Sequence, residues 1–147
     1  MRSLARSRST RARLADELRE RRLIECRRAV EEFVVGLALL MSGHEPELAH
    51  CATRGLIARV RVALVPLLSS DAMVRPDFGS HGELRVDGDL LDVGRPVTAW
   101  VEFEDRSMRQ VGGRRIASPR RRVRLRLLLS LQPCQVTDMA ASVADAV

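Results

Sequence analysis

The chain reads as an α+β protein in which an N-terminal helical hairpin packs on a small antiparallel β-sheet. Three observations predict this. Apolar residues recur every three or four positions through the first third of the chain. They alternate with polar residues in the second half, and a stretch holding Pro76, Gly79 and Gly82 separates the two regimes. A length of 147 residues, nearly half of them apolar, fits one domain with a real core. The divisions expected are a flexible basic arm over 1–13, a single α+β domain over 14–135 and a short tail over 136–147.

From about Thr10 to Met41 the spacing of Leu23, Cys26, Val30, Phe33, Val34, Leu37, Leu40 and Met41 predicts one long helix with a continuous apolar stripe. Glu17 and Arg21 stand at i,i+4 in support of it, and Ser42-Gly43 stops it. Pro46 is suited to open a second helix, where a missing N–H costs nothing. Leu48, Cys51, Ala52, Gly55, Leu56, Ala63 and Leu64 would face the first helix, and Pro66 would end or kink the second. Leu56 to Leu64 also alternates, which suits a strand; the helical pattern before it favours helix. Ser69 to Gly82 reads as an irregular connection.

In the second half, Glu83–Val86 and Leu90–Val93 read as short strands around an Asp87-Gly88 turn. Val97, Ala99, Val101 and Phe103 share one face of a longer strand; Val123, Leu125, Leu127, Leu129 and Leu131 share one face of another. If these two pair, Glu102 and Glu104 fall opposite Arg122, Arg124 and Arg126. Thr137 to Val147, rich in small residues, suits a short or frayed helix. No internal repeat is present.

All 25 basic residues are arginine, and lysine, asparagine and tyrosine are absent. Those three types share A/T-rich codons, so a GC-rich gene explains the choice of arginine over lysine. The placement of the arginines is more telling. The net charge is +6, yet residues 1–30 carry ten Arg against four acids, and 106–126 carry nine Arg and no acid. Two acidic segments, 31–53 and 81–105, lie between. Such charge blocks favour acidic partners.

Asp105 to Arg121 falls between the two long strands as a loop with Gly112-Gly113 near its middle. Arg106, Arg109, Arg114, Arg115, Arg120, Arg121 and Arg122 cluster there, and so many guanidiniums repel one another unless an anion neutralises them. The bland alternative is a solvated loop folded back on the acidic segment 81–105. Arg2, Arg6 and Arg8, with Arg11 and Arg13, give the N-terminal arm the same character. Its Arg- and Ser-rich, acid-free composition is shared by transit peptides. Ser118-Pro119 beside the cluster is a site where phosphorylation would subtract charge.

Enzyme chemistry finds little footing. His44, His50 and His81 form no zinc pattern, and His50-Cys51, as neighbours on a helix, would point apart. Asp87, Asp89 and Asp92 lack the order and the terminal Glu of a calcium loop. Walker, GxGxxG and GxSxG motifs are missing, so neither catalysis nor a cofactor is expected. Cys26, Cys51 and Cys134, odd in number and without CxxC pairing, fit thiols of an intracellular reducing compartment, cytoplasm or nucleus. The longest apolar run, Phe33 to Met41, is far short of the roughly 20 residues a membrane span needs.

The expectation is a non-catalytic nucleic-acid-binding protein that contacts phosphate through the basic loop and arm, in keeping with a viral or phage protein and a place in the virion. Base reading would be slight, because aromatics are scarce and Asn is absent. The alternative is a structural or assembly subunit, a homo-oligomer docking through complementary charge blocks.

Overall fold

The computed structural model describes the backbone of residues 2–68, 73–75, 84–105, 108–117 and 121–145, with the side chains of 7–64, 84–104, 112–116 and 122–142. Helix α1 runs Arg2–Met41 and buries Cys26, Val30, Phe33, Val34, Leu37 and Leu40 of the expected stripe, with Ala29 added and Leu23 and Met41 only half-buried at its ends. It stops at Gly43, whose φ of 82° is costly for other residues. There the His44 N–H donates to the Leu39 carbonyl and the Gly43 N–H to that of Leu40, a Schellman closure. The helix also takes in residues 2–13, where a flexible arm was expected: Arg, Ala and Leu are all good helix formers, and no proline interrupts them.

Helix α2 is Arg54–Leu68, so Pro46 does not open it. Thr53 caps it instead, with its hydroxyl accepting from the Leu56 N–H at 3.4 Å. Residues 44–53 form an irregular link, with turns at 49–51, that sends Leu48, Cys51 and Ala52 into the core. Leu48 lies on Gly36 of α1, filling the place a Cβ would occupy. Gly55 and Ala63, expected to face α1, are exposed. Pro66 lies inside the helix, which continues to Leu68.

Seven strands follow: β1 Met73–Arg75, β2 Leu84–Asp87, β3 Val97–Asp105, β4 Met108–Val111, β5 Arg114–Ala117, β6 Arg121–Ser130 and β7 Gln135–Asp145. Strands β2-β3-β6-β7 form an antiparallel sheet with neighbours in chain order, and β1-β4-β5 form a second, three-stranded sheet. The long pair has the register that its charges suggest, with Glu102 opposite Arg124 and Glu104 opposite Arg122. On the inner face Val97, Ala99, Val101, Phe103, Leu125, Leu127, Leu129 and Val136 meet the stripe of α1, with Leu56 and Val60 of α2.

Three further expectations are corrected. Leu90–Val93 is turn rather than strand: Asp89 and Asp92 accept, through their side chains, the N–H groups of Leu91 and Gly94. Such local bonds compete with a strand ladder. Within Ser69 to Gly82, expected to be irregular, Met73–Arg75 form β1, which pairs with β4 of the β4–β5 hairpin. The tail over 136–147 is largely strand β7, which runs the length of β6. Its start is also held by the segment before α2: the Val136 N–H donates to the Cys51 carbonyl, and the Thr53 N–H to the Val136 carbonyl.

Candidate nucleic-acid interface

The tip of the β4–β5 hairpin is the best-defined part of the arginine cluster. Gly112 and Gly113 have φ of 56° and 79°, the left-handed pair that a tight two-residue hairpin turn requires. Most other residue types are strained there, so the glycines favour the tight turn that sets Val111 opposite Arg114 and Gln110 opposite Arg115. Arg114 and Arg115 are both exposed, and as neighbours on a strand they project to opposite faces of the ribbon.

The other expected residues are spread out. Arg109 lies in β4 opposite Ile116, and Arg121 opens β6 opposite Asp105. Arg122 is exposed, with its Nε 3.8 Å from Glu102 Oε1. Arg106, Arg120 and the Ser118-Pro119 dipeptide lie outside the described residues. Arg2, Arg6 and Arg8 are in the first two turns of α1, and Arg8, Arg11 and Arg13 have exposed side chains. The first buried residue of α1 among the described side chains is Arg22, whose guanidinium donates to the Leu90 carbonyl at 2.5 Å.

The outer face of the four-stranded sheet adds residues that the charge blocks did not reveal. Trp100 stands in β3 between two Cα partners, Arg85 of β2 and Arg126 of β6. It is half-buried and shares a depression of about 210 Å³ with Arg85, Val101, Glu102 and Arg124. Glu102 is held by two cations, Arg122 at 3.8 Å and Arg124 at 3.7 Å. Arg85 pairs with Asp87 at 3.2 Å, whereas Arg126 has no ion pair among the described residues. The signal was present in the sequence: Trp100 has the opposite phase from Val97, Ala99, Val101 and Phe103, so the largest side chain of the strand faces away from the core.

Two further groupings have a chemical character. Glu32, His50 and Cys51 bring their ligand-type atoms within 4.8 Å of one another, since His50-Cys51 lies in a turn and not, as expected, on a helix. His50 Nε2 is 2.8 Å from Glu32 Oε2, and the Cys51 thiol donates to the Leu48 carbonyl. Burial, and then the nearby Glu32, pushes that thiol up to about 11, so at neutral pH it is a protonated thiol beside a His–carboxylate pair. Inside the fold, an apolar cleft of about 340 Å³ separates α2 and the end of α1 from Phe103, Leu125 and Met139. At the cleft Arg59 meets Asp138 at 3.3 Å. No helix among the described residues is long and apolar enough to cross a membrane. In comparison with known proteins, the chain matches no family model, no curated protein and no solved structure.

Proposed function

We propose that the chain is a non-catalytic nucleic-acid-binding protein that takes hold of phosphate through the arginines of its hairpin tip and of the first turns of α1. The observation that carries this reading is the placement of Arg114 and Arg115, both exposed, on either side of a ribbon tip whose glycines leave room for close approach. Residues 106–126 hold nine arginines and no acid. Glu102 of β3 pairs with Arg122 and Arg124, whereas Arg114 and Arg115 at the tip have no ion pair among the described residues, and a polyanion would supply one. Intracellular reducing conditions suit the three free thiols.

The test is a salt titration of binding to a labelled oligonucleotide. Affinity should fall linearly in log–log form, with a slope of about −0.7 to −0.9 for each phosphate neutralised. Arg114→Ala together with R115A should weaken binding and make the slope shallower by one to two contacts. A flat salt response would sink the reading.

One observation favours the alternative of an assembly subunit. Ile24, Val35 and Leu39 are 53%, 56% and 39% exposed on α1. Their spacing of eleven and four residues puts them on one side of the helix, as a seam for a second copy would require. A discrete dimer by light scattering that Val35→Glu dissolves, with no affinity for oligonucleotide, would move the assignment there.

A further inference from the structure

We propose that the outer face of the four-stranded sheet is a single-stranded nucleic-acid site in which Trp100 stacks on a base while Arg85 and Arg126 meet the flanking phosphates. This deepens the nucleic-acid reading and rests on it.

A tryptophan on the solvent side of a strand needs an account, because the core does not use it. Its strand buries Val97, Ala99, Val101 and Phe103 on the other face, against the helices. Trp100 is in β3, one of the two central strands, and its neighbours on both sides are arginines, Arg85 and Arg126. Adjacent strands lie about 4.8 Å apart, so the two arginine backbones are about 10 Å apart with the indole between them. A π-face flanked by cations along one row is the arrangement that grips a single strand: the base stacks, and the backbone on either side finds positive charge.

The neighbouring residues fit the same occupant. Glu102, which would repel phosphate, is neutralised by Arg122 and Arg124. Arg126 has no ion pair among the described residues, so an incoming phosphate would displace none. Beyond it, β7 presents Ala140 opposite Arg126 and Ser142 opposite Arg124, both exposed and small. They leave the path across the sheet open. A duplex keeps its bases stacked inside and cannot offer one to an indole fixed in a sheet, which makes the single strand the occupant.

Trp100 is the only tryptophan in the chain, so its fluorescence reports on this site alone. The full chain would be titrated at low salt with an end-labelled single-stranded oligothymidylate and with a duplex of equal length. Indole emission and label anisotropy would be read together. The expected result is quenching that saturates along with the anisotropy for the single strand. Trp100→Ala should weaken that binding about tenfold or more and W100F much less, since the phenyl ring still stacks. R126A should make the salt slope shallower by about one contact.

Anisotropy that rises with unchanged emission, together with full affinity in W100A, would overturn the sheet site and leave the hairpin as the binding element. No rise in anisotropy with either oligonucleotide would overturn the nucleic-acid reading and this site with it. The quenching assay uses the wild-type chain, so a variant that fails to fold does not remove the test.

Discussion

The thiol sulfurs of Cys26 and Cys134 lie 3.7 Å apart, joining the middle of α1 to the turn before β7. Burial, and then the nearness of Cys134, pushes the Cys26 thiol up to about 12, and burial raises Cys134 as well. A thiol that resists ionisation in the folded chain but ionises near 9 when unfolded favours unfolding as pH rises. Its contribution is therefore complete below pH 9 and is lost between about 9 and 12. The chain has no lysine or tyrosine to titrate in that window, and arginine stays charged. Denaturant melts from pH 8 to 11 should show stability falling above 9, and Cys26→Ala should make the fall shallower, leaving the part that Cys51, raised to about 11, contributes. A wild-type curve that is already flat would contradict the raised thiols.

Gly36 and Leu48 make a second sensitive contact, because the leucine occupies the space of a Cβ. Gly36→Ala should cost about 1–3 kcal/mol by overpacking, despite alanine's better helix propensity. In a chain of this size that lowers the Tm by several degrees. Gly55 is the control: it is helical with open space around it, and G55A should be neutral or stabilising by up to about 1 kcal/mol.

The phase of β6 can be tested by a pair of leucines. Leu127 is fully buried, whereas Leu128 lies on the outer face opposite Asp138. Leu127→Ala should cost about 2–5 kcal/mol and L128A well under half of that. Equal losses would mean that the sheet is buried on both faces.

Arg22 is a buried cation whose guanidinium holds the Leu90 carbonyl. Arg22→Ala removes the donor and leaves that carbonyl short of a partner, at a cost of about 1.5–3 kcal/mol. R22M, which keeps the packing of the stem, should lose less. A chemical melt of the two variants separates the hydrogen bond from the packing.

Where sequence and fold agree, side-chain periodicity was tied directly to burial. The stripe from Cys26 to Leu40 could be buried only as a helix face. The phase of the two long strands put Glu102 and Glu104 on the same face as Arg122, Arg124 and Arg126, though which pairs oppose came only with the register. Strand β7 escaped because a bulge interrupts the ladder at Leu128/Leu129. The two residues that turn inward, Val136 and Met139, are thus three apart instead of two, and alternation is lost. The start of α2 escaped for a different reason. Pro46 is compatible with a first helical turn, but Thr53 supplies the hydroxyl that satisfies one. In the candidate interface, the arginine runs were visible in the sequence. The row Arg85–Trp100–Arg126 was not, since it needs the β2–β3–β6 register to assemble it.

The late burial of α1 makes its forty residues unequal in behaviour. From Arg22 onward each turn is anchored by core side chains, and its amides exchange with solvent only when the domain opens. Over residues 7–21 no side chain is buried, so those turns rest on intrinsic propensity and on local pairs such as Asp16–Arg19 at 2.8 Å. An isolated helix of that length is marginal in water. Amide deuteration should therefore divide the helix near Arg22 into a fast and a slow half. If a polyanion binds along the fast half, as proposed, deuteration there should slow while that of the anchored half stays unchanged.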